Sequence, residues 1–190
     1  MPIYEFFYMT KKTLHYIFLI LIISLQGCFI LRTGPQEKYY RNGQLKYSGN
    51  YNSGKKHGTF RNFSKNGQLI SEENFQNGQL HGKSIWIDDS ENTQTIAEYQ
   101  NGLKHGTFQW LNNGVLKQVE SYKNGLKHGK SIWYNPKGHI KSIGNYENGN
   151  KTGLFAWYSD STQMTGRFAW YYSSGMLESV GNKIEGNWEG

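Results

Sequence analysis

The chain has 190 residues, a formal net charge of +7, 23 glycines, a single cysteine and an aromatic content of 16%. A single cysteine excludes a disulfide framework and a cysteine-based zinc site. Because the aromatic residues recur in register and can be buried together, the composition also excludes a disordered chain. Evenly spaced glycines and aromatics favour short strands and tight turns over helices.

Residues 1–27 have the organisation of a secretory signal. Lys11 and Lys12 precede an apolar run over residues 14–25, and this run leads to Gly27 and Cys28. A basic segment, an apolar core of about a dozen residues and a small residue before the cleavage point are typical of such signals. The sequence Leu-Gln-Gly-Cys at 25–28 resembles a bacterial lipobox. That resemblance implies cleavage before Cys28 and acylation of its thiol.

Two features of this N-terminal region stay open. Residues 14–31 are near the lower length limit for a membrane span, so a single N-terminal transmembrane anchor is the alternative to a lipoprotein signal. Met9 is a conventional start as well as Met1. With cleavage, residues 28–33 form a short tether, and the protein is expected in the cell envelope as a lipid-anchored membrane protein.

A unit of about 24 residues recurs from residue 34 to residue 190, and its clearest copy is Tyr-Lys-Asn-Gly-Leu-Lys-His-Gly at 122–129. A fixed period in this range marks a repeat protein. Each unit has two strand-like segments, such as 130–134 and 139–146, bounded by turns that commonly contain Asn-Gly. The sequence therefore predicts an all-β fold. We expect an elongated single-layer antiparallel β-meander of repeated hairpins with about seven units, preceded by a signal helix.

The closing glycine of the units recurs at steps of 24, 24, 24, 23, 24, 13 and 24 residues. The glycines are Gly34, Gly58, Gly82, Gly106, Gly129, Gly153, Gly166 and Gly190. The short step of 13 residues indicates that half a unit is missing between Gly153 and Gly166. We expect the sheet to kink or to change strand partners there.

Aromatic residues occupy fixed places in the unit. Phenylalanine often stands two residues after the closing glycine, and tryptophan stands four residues after it at Trp86, Trp110, Trp133, Trp157 and Trp170. Because one hairpin cannot bury such side chains alone, stability is expected to come from contacts between neighbouring units. The tryptophan column is predicted to form the core.

The segment from Tyr47 to Gly58, Tyr-Ser-Gly-Asn-Tyr-Asn-Ser-Gly-Lys-Lys-His-Gly, resembles a MORN repeat. The 24-residue spacing is similar to a bacterial MORN variant, some members of which carry an antitoxin label. This resemblance implies an elongated β-hairpin sheet that acts as a binding or scaffold module, and it also implies lipid binding.

The histidines form the one column that invites a chemical interpretation: His57, His81, His105 and His128. Equivalent positions in successive units lie about 9–10 Å apart, whereas zinc needs ligands at about 2.0–2.1 Å from one ion. Turn geometry therefore explains these repeat-frame residues better than a metal. We expect no metal, no cofactor and no enzymatic activity.

Lysine precedes the histidine position at Lys56, Lys104, Lys127 and Lys151. These residues are expected to line one edge of the sheet, either as solvated turn lysines that discourage edge pairing or as a strip that contacts anionic lipid, cell-wall polymer or an acidic protein.

Three functions compete. The first is a non-catalytic, lipid-anchored scaffold at a bacterial envelope membrane, which binds a protein partner or an anionic lipid or polymer. The second is an antitoxin or immunity-type protein that neutralises a toxin. The third is a wall-glycan binder, because residues 169–176 resemble a choline-binding repeat, which implies a quaternary amine held by cation–π contacts. Nucleic acid is not expected as a partner. The C-terminal strand edge is predicted to pair with a second copy or a partner.

Overall fold

The computed structural model describes residues 32–159 and 165–189. The predicted signal, its helix, the alternative transmembrane anchor and Cys28 lie outside these residues. Within the described ranges, fifteen β-strands form one antiparallel sheet. The strands are β1 Gly34–Tyr39, β2 Leu45–Asn52, β3 Lys55–Phe63, β4 Leu69–Gln76, β5 Gln79–Leu80, β6 Gly82–Asp88, β7 Thr93–Gln100, β8 Leu103–Asn112, β9 Val115–Lys123, β10 Leu126–Tyr134, β11 Ile140–Glu147, β12 Asn150–Tyr158, β13 Gly166–Tyr171, β14 Leu177–Ile184 and β15 Asn187–Glu189.

The sheet is an open meander in which each strand pairs with its neighbours in chain order. The two-residue strand β5 and the strand β6 both pair with β4, and His81 separates them. They occupy the place that one continuous strand fills in the other units. The predicted all-β, single-layer meander of hairpins is confirmed.

Asn-Gly turns close the hairpins because both residues adopt the left-handed backbone conformation. At Asn101 and Gly102, φ is 51° and 81°, and the pairs that begin at Asn77, Asn124 and Asn148 repeat this geometry. Two-residue turns with positive φ at both positions match the twist of the flanking strands, and asparagine and glycine tolerate that conformation.

Successive turns are joined by backbone hydrogen bonds. The turn glycine of one unit donates its N–H to a carbonyl in the strand of the preceding unit, at 2.8 Å for Gly78 to Lys56, Gly125 to Lys104 and Gly149 to Lys127. Each turn is therefore held by the unit before it, which is the neighbour dependence expected of a repeat array.

The phenylalanine column, and not the tryptophan column, forms the buried core. Phe60 and Phe155 are 2% and 6% exposed, whereas Trp133 and Trp157 are 43% and 41% exposed. The prediction that tryptophans fill the core is therefore wrong for these units. Residues two apart on a strand share a face, so the sequence pattern could place both columns on one face without showing which of them is covered.

Small residues on the preceding strand explain why phenylalanine is buried. The Phe60 ring lies over Gly49 and the Phe155 ring lies over Gly144, so that a Cβ atom at either glycine would overlap the ring. Ala97, which is fully buried, pairs directly with Phe108 in the same way. The flat backbone of the neighbouring strand thus supplies the surface that a second layer supplies in a sandwich.

The missing half-unit moves the aromatic surface to the other side of the sheet. The sheet does not change partners there, because β12 pairs directly with β13, with Phe155 opposite Ala169 and Ala156 opposite Phe168. Opposed residues share a face and consecutive residues alternate. Phe155 therefore lies on one face, here called the front face, and Phe168 lies on the back face.

Candidate functional site

A ladder of lysines and aromatic rings covers the front face from β3 to β13. Lys56 Nζ lies 4.7 Å and 4.5 Å from the ring centres of Phe60 and Phe75. Three further lysines repeat the arrangement: Lys104 over Phe108 and Tyr122, Lys127 over Tyr146, and Lys151 over Phe155 and Tyr171. Ammonium groups at such distances are attracted by the ring faces. All four lysine side chains are half-buried.

The repeat frame dictates this ladder. Lys56 is followed two residues later by Gly58 and four residues later by Phe60, and side chains at such spacings share one face of a strand. The next strand then brings Phe75, which pairs with Gly58, beside them. These lysines were predicted to line one edge of the sheet, but their ammonium groups lie over the rings of the front face. Contact with an anionic surface remains a prediction.

Two glutamates on the front face, Glu73 and Glu120, were not predicted as site residues from the sequence. Glu120 is 5% exposed and accepts hydrogen bonds from Lys127 Nζ and the Tyr122 hydroxyl, both at 2.5 Å. Glu73, at the equivalent position two units earlier, accepts from Trp86 Nε1 at 3.0 Å. Burial alone would raise the pKa of Glu120, but the hydrogen bonds from Lys127 and Tyr122 and the charge of Lys127 outweigh it and hold this pKa below its ordinary value. Burial, followed by the hydrogen bond to Glu120, raises the pKa of Tyr122.

These glutamates belong to a row that repeats over two units instead of one. Along the row, residues on successive strands follow the order small, phenylalanine, glutamate, serine, and most neighbours in it face each other directly. Its members are Gly49, Phe60, Glu73, Ser84, Ala97, Phe108, Glu120, Ser131, Gly144 and Phe155. The alternation of phenylalanine with serine two residues after the repeat glycine was the available sequence signal.

Three of the four histidines lie in strands and none lies in a turn, which corrects the turn assignment. His57, His105 and His128 lie in β3, β8 and β10, and His81 lies between β5 and β6. The glycine after each histidine has positive φ, and the pairing with the preceding strand shifts register there. The histidine-glycine pair thus marks a β-bulge.

Each of these histidines has a buried Nδ1 atom without a hydrogen-bond partner. In the described part of the chain, no three histidine, cysteine, aspartate or glutamate residues converge in a way that could hold a metal ion.

The back face carries a second aromatic group, here called the C-terminal cluster: Tyr158, Phe168, Trp170, Lys183 and Trp188. The Trp188 ring centre lies 5.1 Å from that of Phe168 and 5.2 Å from that of Trp170. Lys183 Nζ lies 5.3 Å from the same indole. The combination of lysine and aromatic rings therefore recurs after β12, on the opposite side of the sheet.

The N-terminal site and the terminal strand are the remaining predicted features. Cys28 lies outside the described residues, so its acylation stays a prediction. No helix within 32–159 and 165–189 has the length and apolar character needed to cross a membrane. The strand β15 pairs with β14 alone among the described strands, and pairing of this edge with another chain also stays a prediction.

An open single-layer sheet of repeated hairpins, in which strands pair with their neighbours along the chain, defines a repeat protein of the β-hairpin type. Residues 32–53, 56–77 and 127–148 match the family model of the MORN repeat variant. The resemblance to MORN repeats is confirmed for these three segments. A search of curated proteins found no match to the chain.

Proposed function

We propose that this protein is a non-catalytic, lipid-anchored repeat module that acts as a binding scaffold at a bacterial envelope membrane. The observation that carries the proposal is the presence of two aromatic surfaces on opposite sides of one sheet. The front-face ladder runs from β3 to β13, and the C-terminal cluster lies on the back face. Such an arrangement suits contact with different molecules on the two sides.

The membrane part of the proposal is supported by the N-terminal sequence. The lipobox-like residues 25–28 contain the only cysteine of the chain, at the one position where lipoprotein acylation needs a thiol. The tether of residues 28–33 would then place β1 within a few residues of the lipid. A single acyl chain gives marginal membrane binding, so stable anchoring requires a second chain or a basic surface.

Two alternatives receive different support. The choline-type interpretation of residues 169–176 receives little, because the chain's own Lys151 lies over the Tyr171 ring and Trp170 contacts Trp188. An incoming cation would meet that ammonium group. The antitoxin alternative rests on the resemblance to MORN variants with that label.

Expression of the full-length protein in a bacterial host tests the anchoring. Mass spectrometry of membrane-extracted protein should find a mature N-terminus at Cys28 with added lipid. Cys28→Ser should remain unprocessed, whereas the matched control Ser24→Ala should be processed normally. An intact terminus at Met1 or Met9 in the membrane fraction would contradict lipid anchoring.

Cross-linking followed by purification of the acylated protein from its own envelope tests the scaffold role. The account expects at least one partner whose capture is lost after substitutions in one aromatic surface but not in the other. Capture of a toxin would favour the antitoxin alternative, and capture that is insensitive to both surfaces would contradict the scaffold.

A further inference from the structure

A hollow of about 170 Å³ opens on the front face between two exposed indoles. Trp133 and Trp157 form its walls, and Ser131, Ser142 and Gly144 lie between them. Ser131 and Gly144 are paired across β10 and β11. The hollow lies where two small residues, Ser131 and Gly144, adjoin in the row, with Glu120 and Phe155 on either side.

The two serine hydroxyls of the hollow have no partner within the described residues. Ser131 is 8% exposed, and neither its hydroxyl nor that of Ser142 takes part in a hydrogen bond there. The Ser131 hydroxyl is reached by solvent. Among the described residues, the only side-chain polar atoms that are both fully buried and unbonded are the Nδ1 atoms of the four histidines, so the unbonded Ser131 hydroxyl is not fully buried. A nearly buried hydroxyl that faces an accessible hollow is positioned for a ligand, because buried polar groups are normally hydrogen-bonded.

The equivalent place two units earlier is closed, which provides an internal comparison. Thr95, the counterpart of Ser142, lies opposite Trp86 as Ser142 lies opposite Trp133, and Ala97, which is 0% exposed, stands where the hollow has Gly144. Ser84, the counterpart of Ser131, is 0% exposed and accepts from the Asn74 N–H at 3.4 Å. The Trp86 indole there is tied to Glu73 and lies against Tyr99. The Ser84 hydroxyl and the Trp86 indole therefore have partners in the earlier unit, whereas the Ser131 hydroxyl has none within the described residues.

The chemistry of the lining restricts the ligand. Lys151 is the one charged residue among the lining side chains, and no carboxylate accompanies it, which disfavours a cationic ligand. Hydroxyl groups both donate and accept hydrogen bonds, which suits a ligand rich in hydroxyls. The negatively polarised faces of indoles attract the C–H bonds of a stacked ring.

The spacing of the strands that carry the two indoles favours a puckered ring over a flat one. Trp133 and Trp157 lie on alternate strands, so their backbones are about 9.4–9.8 Å apart. A flat base held between two rings needs faces about 7–8 Å apart, twice the optimal carbon–carbon contact distance. A pyranose ring is thicker because of its pucker and its hydroxyl substituents.

We propose that the hollow between Trp133 and Trp157 binds a pyranose ring of a glycan, with preference for a sugar that carries an acidic group. The indoles stack on the ring, the hydroxyls of Ser131 and Ser142 bind its hydroxyls, and Lys151 attracts the acid. This inference deepens the proposed function, on which it rests, by naming the chemical class of a ligand for the front face.

Intrinsic tryptophan fluorescence and isothermal titration of the full-length protein test the proposal with tetragalacturonate, chitotetraose and a thymidine oligonucleotide of similar length. Tetragalacturonate should bind saturably with a Kd on the order of 0.1–1 mM, as expected for a single small site. Chitotetraose should bind more weakly. Added salt should weaken the binding of tetragalacturonate but not that of chitotetraose, because salt screens the charge of Lys151.

Two variants localise the binding. Trp133→Ala and Ser131→Val should each raise the Kd for tetragalacturonate about tenfold, which corresponds to about 1.4 kcal/mol. The matched control Trp188→Ala removes an exposed indole from the back face and should leave the Kd unchanged. Circular dichroism establishes that each variant is folded.

Three results would overturn the proposal: no saturable binding of either oligosaccharide, binding that is unaffected by both front-face variants, or binding of the oligonucleotide in preference to the sugars. Failure of the lipid anchor is distinguishable from these outcomes, because sugar binding is measured whether or not Cys28 is acylated.

Discussion

Replacement of Phe60 by alanine should destabilise the protein more than replacement of Trp133, although tryptophan is the larger residue. Phe60 is 2% exposed, and its ring contacts Tyr51 and Phe75 edge to face. Burial of a phenylalanine side chain and the cavity left by its removal together correspond to about 3–5 kcal/mol. The cavity in a single-layer sheet opens to solvent, so we expect the lower end, about 3 kcal/mol.

Trp133 is 43% exposed, and only the covered part of its surface contributes to burial. We expect Trp133→Ala to lower the free energy of unfolding by about 1–1.5 kcal/mol, about half of what full burial of a large apolar side chain provides. Urea unfolding of both variants, followed by circular dichroism, measures the two differences at a common slope. A larger loss for Trp133→Ala than for Phe60→Ala would refute the assignment of the core to phenylalanine.

Three further substitutions test individual contacts of the front face. Glu120→Gln should destabilise by about 1–3 kcal/mol at pH 7, because the hydrogen bonds from Lys127 and Tyr122 to a charged acceptor are weakened. Because the folded state lowers the pKa of Glu120, its carboxylate stabilises the fold above the ordinary value of 4.5, and this stabilisation is lost as pH falls through the folded-state pKa. The difference in unfolding free energy between wild type and variant should therefore shrink in acid. A difference that stays constant with pH would contradict the account. Lys104→Met should lower the free energy of unfolding by about 0.5–2 kcal/mol through loss of its cation–π contacts. The control Lys137→Met, in an exposed turn, should change urea unfolding little. Equal losses of stability in the two variants would contradict the ladder. Gly144→Ala should lower the free energy of unfolding by about 1–3 kcal/mol, because the added methyl group would overpack against the Phe155 ring. The control Gly181→Ala should be tolerated in thermal unfolding, since an added Cβ there would lie 3.6 Å from its nearest neighbour. A larger loss for Gly181→Ala would argue against the row of small residues.

The hairpins could be predicted from the sequence because their determinants are local. The 24-residue period and the Asn-Gly pairs specify where the chain reverses, and the structure has positive φ at both residues of such turns. The identity of the core could not be predicted in the same way. Phe155 and Trp157 share a face by spacing, and the difference in their burial depends on Gly144, which lies on another strand.

The lysine ladder was within reach of the sequence, since Lys56 and Phe60 are four residues apart on one strand. The assignment of Lys56 to an edge overlooked that its side chain extends along the face. The hollow beside Ser131 was not within reach, because it depends on which strand pairs with β10 and on the absence of a partner for a hydroxyl. The inversion of the faces likewise depends on the direct pairing of β12 with β13, which the short repeat step alone leaves undecided.

The two-sided scaffold depends most on that inversion, and nuclear Overhauser contacts across β12 and β13 measure it directly. The account predicts contacts between the Ala169 methyl group and the Phe155 ring on one face, and between the Ala156 methyl group and the Phe168 ring on the other. Contacts between the rings of Phe155 and Phe168 would place both phenylalanines on the same face and would contradict the account.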